Sequence, residues 1–267
     1  ITRLPFNVLP ALELAPASYV PVPRPVKSEY EIGAYYFPGW SRRSGWDKVD
    51  ATAPIRRPLL GYYDEANPEV VDWQIKWAVE NGISFYLVDW YNREGYFQQA
   101  LKKARFAKYI RWAVMWCNHI PAPLCDEKHW TEMIERCLTT VFNQPQYKFV
   151  NGMPYLSIWS GDALERDNGP GGCKRMLEKA RTMARAAGYK GIYFQAQCNH
   201  HASAVKRMAR FGFDETTTYH YIQPGNKPDP EPSVRAFADV AASSYDYWKS
   251  VWGVGGIDFL PNLSTGW

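Results

Sequence analysis

Seven short apolar runs, each ending in polar and aromatic residues and all but the last followed by a helical pattern, constrain this chain more than any other feature. They begin near residues 31, 83, 112, 154, 191, 214 and 257. The run from Gly82 to Glu94, GISFYLVDWYNRE, sets the type. Glycine closes the preceding helix. Ile83, Phe85, Tyr86, Leu87 and Val88 then read as a strand buried on both faces. Asp89, Trp90, Tyr91, Asn92, Arg93 and Glu94 follow at its carboxyl end, where parallel α/β folds bind ligands.

The intervening segments carry helix signals. Asn67-Pro68-Glu69 is an N-cap, a first-turn proline and an acid beside the helix dipole. That helix is expected to run to Glu80 and stop at Gly82. Further helices are expected at about Tyr96–Lys108, Lys128–Phe142, Gly172–Ala187, Ala202–Phe211 and Pro232–Trp252. Strand–helix alternation implies parallel strands joined by right-handed crossovers. An open doubly wound sheet is one solution. No GxGxxG follows the first strand and no GxxxxGK[ST] occurs. Strand after strand ends in aromatic and polar groups, which favours an α/β fold of the (β/α)8 TIM-barrel type, its loops converging on one mouth. A barrel takes eight strands, so this chain is expected to lack its last β/α segment.

The domain reading follows. Residues 1–28 carry Pro5, Pro10, Pro16, Pro21, Pro23 and Pro25 and form an extended arm or linker. Residues 29–267 form the barrel. The segment 41–65, with Arg42, Arg43, Trp46, Arg56 and Arg57, is too long for an idle connection. Ile1 is not expected to be the natural start, since neither an initiator Met nor a signal peptide precedes it.

Composition narrows the function. Aromatic residues make up 16% of the 267, including 12 Trp and 18 Tyr. A core does not need so many indoles, whose N–H wants a partner when buried. Net charge is +4 without a basic stripe, which argues against nucleic acid. No apolar run reaches membrane-spanning length. Cys117, Cys125, Cys137, Cys173 and Cys198 show no CxxC spacing and read as buried free thiols, with one disulfide possible if the protein is exported.

The strand ends read FPGW, VDWYNRE, WCNH, WSGD, QCNHH, YHYIQ and STGW. Trp and Tyr offer flat faces to pyranose rings, and Asn, Gln, His and Asp offer directional bonds to hydroxyls. Carbohydrate is the expected partner. Glycoside cleavage takes two carboxyl groups, or one with substrate assistance. Asp89 is the best-placed candidate for catalysis or sugar contact; its alternative role is to order the mouth beside Arg93. Glu94, Asp162 and Glu165 read as solvated loop carboxylates. His119, His200, His201 and His220 fall near strand ends, but no HxH or HExxH is present. Hydrogen bonding is favoured over a metal, and no metal or cofactor is expected.

Several segments together resemble a known family: GAYYFPGW (33–40), LLGYYDEANPEVVDWQIKWAVENGISFYLVDWY (59–91), WCNH (116–119), YKFVNGMPYLSIW (147–159), GFDETTTYHY (212–221) and STGW (264–267). The resemblance is to the glycoside hydrolase family 99-like domain, including proteins labelled glycosyltransferase WbsX. It implies a (β/α)8 barrel acting on glycans. The family's endo-acting α-mannosidases and α-mannanases use two glutamates in an E-W-x-E-like motif near the last strand. That motif has no match here, so the main acid pair is expected beyond Trp267. His119 stands where relatives often carry Glu. The resemblance implies that Tyr36, Trp40, Trp90, Trp116, Asn118 and Tyr219 line the glycan cleft; the residue reading adds His119, His200 and His220. The expectation is an exported bacterial glycoside hydrolase, secreted, periplasmic or on the cell surface. A glycan-binding or glycosyltransferase-like module is the alternative.

Overall fold

A computed structural model describes residues 17–40, 45–52, 57–119, 125–199, 201–219 and 237–263. All seven expected strands are present and form one parallel sheet in chain order. They are β1 (Ile32–Tyr36), β2 (Ile83–Trp90), β3 (Arg111–Trp116), β5 (Met153–Ile158), β6 (Tyr193–Gln197), β7 (Glu215–Thr217) and β8 (Asp258–Phe259). The short β4 (Phe149–Val150) pairs antiparallel with β5. Among the described residues β1 pairs only with β2 and β8 only with β7. The sheet nevertheless curls into a partial (β/α) barrel: Tyr35 of β1 reaches Gln197 of β6, and Tyr219 beyond β7 reaches Asp89 of β2.

The helices are α1 (Trp46–Thr52), α2 (Pro68–Glu80), α3 (Tyr96–Leu101), α4 (Glu127–Arg136), α5 (Gly161–Asn168), α6 (Gly172–Ala186), α7 (Ala202–Phe211) and α8 (Phe237–Val251). Helix α2 starts as its sequence demands. The Asn67 side chain accepts from Glu69 N–H at 3.0 Å, and Pro68 needs no amide partner. Gly82 then takes φ 86°, a turn that glycine makes without strain.

Three departures from the sequence reading have local causes. Helix α3 stops at Leu101 rather than near Lys108. The fully buried carboxylate of Asp72 draws in the Arg105 and Phe106 amides at 3.0 and 2.8 Å, which peels the chain off the helical path. Residues 149–154 form a hairpin: Asn151 and Gly152 both take positive φ, the geometry an Asn-Gly pair favours. Finally α5 fills what reads as a loop, with Ser160 as its N-cap accepting from Ala163 N–H.

The core lies in two shells. The outer one, between sheet and helices, holds Ile75, Phe97, Trp130, Met133, Ile134 and Phe194, all fully buried. The inner one fills the lumen. Phe85 and Tyr155 lie low in it, and Met115 stands level with Asp89 of β2. At the floor, Lys148 is almost fully buried, paired with Glu31, and its ammonium sits over the Phe85 and Tyr155 rings at 4.4 and 5.3 Å. A cation desolvated this far is held by the carboxylate and by the negative ring faces together. The described part of the Pro-rich arm runs along α2. Val26 N–H donates to the Val79 carbonyl, and Tyr19 Oη donates to Asp72.

Candidate active site at the barrel mouth

A polar spine climbs the lumen from floor to mouth. Tyr155 Oη and Gln195 Nε2 both donate to Glu215 Oε1, at 2.7 and 2.6 Å. Gln197 Nε2 reaches Ser157 Oγ and Gln195 Oε1. Tyr35 Oη donates to Gln197 Oε1 at 3.2 Å, and its ring leans on that of Tyr219 at 4.5 Å. Burial raises the Glu215 pKa. TIM-barrel lumens are dominated by layers of branched apolar side chains. Here glutamines, tyrosines and a glutamate replace part of that filling. A network this fully partnered is rigid.

At the top of the spine stands Asp89. It is 6% exposed and lies on the lumen face of β2. Tyr219 Oη donates to its Oδ2 at 3.2 Å. Its Oδ1 is buried and, among the described residues, has no hydrogen-bond partner. Burial is the main influence and pushes the carboxyl up to about 7, against the smaller opposing effect of the Tyr219 bond. An acid held there carries its proton at or just below neutral pH. It is also an orphaned polar atom, which native interiors rarely leave without purpose. A recess of about 320 Å³ opens beside it, lined by Pro38, Tyr91, Arg93, Glu94 and Gln98 among others.

Around Asp89 stand the other mouth groups. Trp159 meets Tyr219 edge-on at 5.1 Å, and His119 stacks on Trp159 at 4.5 Å and 27°. Burial lowers the His119 pKa, so the ring is neutral at pH 7. Its Nδ1, like Asp89 Oδ1, Asn92 Oδ1 and Asn262 Oδ1, is buried and lacks a hydrogen-bond partner among the described residues. Cys117 lies under Tyr91; burial pushes its thiol up to about 12, which leaves it protonated and a poor nucleophile.

The structure brings together Asp89, His119 and Tyr219 of the residues expected from sequence. It does not bring Tyr36 or Trp116 to the lumen, and that corrects the expectation; Trp90 also turns outward, yet it lines the recess beside Asp89. Successive residues of a strand face opposite ways. With Tyr35 and Asp89 inward, Tyr36 and Trp90 turn to the helices. Tyr36 donates to Gln74 of α2 and packs on Phe97; Trp116 is buried against Trp130 of α4. Asn118 is corrected too. Its side chain clips the end of β3 to the end of β5, donating to the Ser160 carbonyl and accepting from Ser160 N–H. Trp40 sits between β1 and α1, stacked on Trp46 of α1 at 4.3 Å. His200 and His220 lie outside the described residues.

The remaining acids divide cleanly. Glu94 pairs with Lys102, Asp162 is held bidentate by Arg207, and Glu165 accepts from the Gly171 and Cys173 amides at the start of α6. Their charges are already answered. Glu65 is different and was not singled out from sequence. It is 2% exposed, accepts from Trp40 N–H at 3.0 Å, and burial pushes it up to about 8. Tyr35, Trp159 and Gln197 were also missed. Period-two counting from Asp89 and its neighbours could have found Tyr35, but nothing in the sequence fixes the inward face of each strand. Among the described residues no three His, Cys, Asp or Glu side chains gather to hold a metal, and no helix is long and apolar enough to cross a membrane.

Comparison with solved structures agrees with the fold. The chain is similar to the glycoside hydrolase family 99 endo-α-mannosidase from Bacteroides thetaiotaomicron in complex with bis-tris-propane. The TM-score is 0.57 and the identity 14%, over 86% of this chain and 68% of that one. A second structure of that bacterium's enzyme gives 0.52 at 14% identity, over 86% and 69%. A glycoside hydrolase-like protein gives 0.60 at 16% identity, over 91% and 73%. At such identities the likeness is one of fold. No curated protein matches in sequence. A family model does match, over residues 52–246, which include β2 and its mouth carboxylate: the chain belongs to the family described as glycosyltransferase WbsX.

Proposed function

We propose that this barrel acts on a glycan at its mouth as a glycoside hydrolase, with Asp89 as the residue that meets the sugar. The observation that carries this reading is the state of Asp89: buried, protonated up to about pH 7, and with one oxygen unpartnered among the described residues. A carboxyl so tuned donates a proton to a glycosidic oxygen at near-neutral pH and accepts from a hydroxyl once ionised. Its neighbours suit the same ligand. Trp159 and Tyr219 offer ring faces, while the neutral His119 offers hydrogen bonds.

Glycoside cleavage calls on a second group, a carboxyl or a substituent of the sugar itself. Glu215 is committed to Tyr155 and Gln195 and does not serve. The second group is therefore the substrate's own, or a carboxyl outside the described lumen. Support for hydrolysis also comes from the fold shared with glycoside hydrolases. On this reading the protein works outside the cytoplasm, on an extracellular or cell-surface glycan.

A panel of oligosaccharides, read by new reducing ends, tests this reading. Turnover in the wild type and its loss in Asp89→Asn support it. The family description favours a second reading, transfer of a sugar from a nucleotide donor. Product that forms only when a nucleotide sugar is supplied would establish that reading and displace the first. Binding without either product reduces the protein to a glycan-recognition module.

A further inference from the structure

One sizeable cavity of the described fold lies outside the lumen. It is a groove of about 750 Å³ on the outer side of β2 and β3, between α3 and the end of α4. It exists because α3 ends early, where Asp72 draws the chain away, so the helical layer leaves β2 and β3 partly uncovered. Its size falls in the range of small-molecule sites.

Two features of its lining belong together. Trp90 and Trp112 back the wall as almost fully buried rings, 3% and 5% exposed, and give the groove an apolar floor. Lys102, Arg105, Lys108 and Arg136 also line it, against the single carboxylate of Glu94. Lys102 is answered by Glu94 at 2.6 Å. The Arg105 guanidinium lies 3.8 Å over the Tyr19 ring, a contact that leaves its charge unneutralised. Lys108 and Arg136 are exposed. A solvated basic helix face would show the charges without the cavity, and an unfilled helix gap would show the cavity without the charge excess.

The groove also adjoins the mouth. Trp90, Glu94 and Gln98 line both it and the recess beside Asp89, so they form a shared rim. Arg93 adds a cation on the mouth side of that rim. An extended chain seated at the mouth could cross the rim and lie along the groove.

We propose that the groove is a second binding site, for an anionic oligosaccharide, and that it extends the mouth into one track for an acidic polysaccharide. The inference rests on the glycan reading of the mouth and names the substrate class. Cations in a partly enclosed groove attract carboxylate or sulfate groups along such a chain more strongly than on open surface, and salt weakens that attraction.

Titration calorimetry of the full chain tests this without requiring turnover, so the proposal is answered even if no hydrolysis is found. The probes are oligogalacturonate and a neutral manno-oligosaccharide of equal length. Oligogalacturonate is expected to bind more tightly, to weaken as salt rises, and to weaken about three- to tenfold in the double variant Lys108→Gln/Arg136→Gln. Both side chains are exposed, so the variant should fold, and circular dichroism checks that it does. The double variant Arg185→Gln/Lys190→Gln, exposed and away from the groove, also removes two charges and should bind as the wild type. The proposal is overturned if the acidic probe binds no better than the neutral one, or if the double variant binds it as the wild type does. Short duplex DNA bound equally well, with the same loss in the variant, would replace the glycan with a general polyanion and also overturn it.

Discussion

The Tyr219 hydroxyl donates to Asp89 Oδ2 at 3.2 Å, joining the segment after β7 to the end of β2 across the lumen. The bond favours the ionised carboxylate and opposes the burial that raises its pKa.

Removing that donor has a defined sign. In Tyr219→Phe the Asp89 carboxyl loses the bond that stabilises its charge, so it is expected to titrate above the wild-type value of about 7. The alkaline limb of a pH–rate profile, or the carboxyl ¹³C shift followed through pH, reads the change. A downward displacement would mean that Tyr219 does not act on the charged form.

Asp89 itself links activity to stability with opposite outcomes. Asp89→Asn keeps the shape but removes the acid, and turnover on a cleaved glycan is expected to fall by ~10²–10⁴. Stability moves the other way. The folded pKa of about 7 lies above the ordinary 3.8. The native state therefore holds a proton that the unfolded chain releases from about pH 4 upward. This contribution is full below the unfolded value and is lost as pH rises through the folded one. Above pH 7 it costs the wild type on the order of 4 kcal/mol, which the amide does not incur. The urea midpoint of Asp89→Asn should therefore exceed that of the wild type at pH 8.5, with the gap closing toward pH 4. Glu65, raised to about 8 for the same reason, keeps some of the same slope in both proteins, so the difference between them is the quantity to read.

The strands were legible because composition marks them. ISFYLVDW and RWAVMW are apolar, aromatic and of strand length, and they pair as β2 and β3 in one parallel register. The faces were not legible. A strand buried on both sides shows no alternation, so Trp90 and Trp116 read as well for the mouth as for the helix layer. Asp89 was identifiable by its place after the run. Its partner Tyr219 lies 130 positions away and could be joined to it only by the closing of the barrel. Asn118 shows a different limit: a polar residue at a strand end is as apt to bond backbone as ligand, and the Ser160 peptide claimed it. The length of α3 was hidden because a buried Asp72 on another helix decides it.

The aromatic residues that turn outward predict a different phenotype from those that line the mouth. Trp116 is 3% exposed and packs on the fully buried Trp130. Trp116→Ala is expected to cost about 3–5 kcal/mol of stability through the cavity it leaves. At temperatures where the variant is folded, its KM for a glycan should match that of the wild type. Trp159→Ala, which removes the ring between His119 and Tyr219, should instead raise KM or weaken binding. Denaturant melts and binding isotherms on the two variants separate the shells; equal binding loss in both would put Trp116 in contact with ligand.

The floor of the barrel rests on a glycine. Gly33 of β1 pairs with Phe85 of β2, and the Phe85 ring lies across the space where a side chain would stand: a Cβ on residue 33 would come within 2.3 Å of Phe85 Cζ. The same ring carries the Lys148 ammonium at 4.4 Å, and Lys148 is paired with Glu31 just below. Gly33→Ala must displace the ring, and with it one of the supports of a buried cation. A destabilisation of about 1–3 kcal/mol is expected from overpacking. Because the cause is one ring, a smaller partner should relieve it. Phe85→Leu alone is expected to destabilise by removing apolar volume, while the double variant Gly33→Ala/Phe85→Leu should lose less than the sum of the two. A double-mutant cycle by urea denaturation measures that coupling, expected at about 0.5–3 kcal/mol for residues in contact. Strict additivity would mean that the methyl finds room elsewhere and that Phe85 is not what holds residue 33 to glycine.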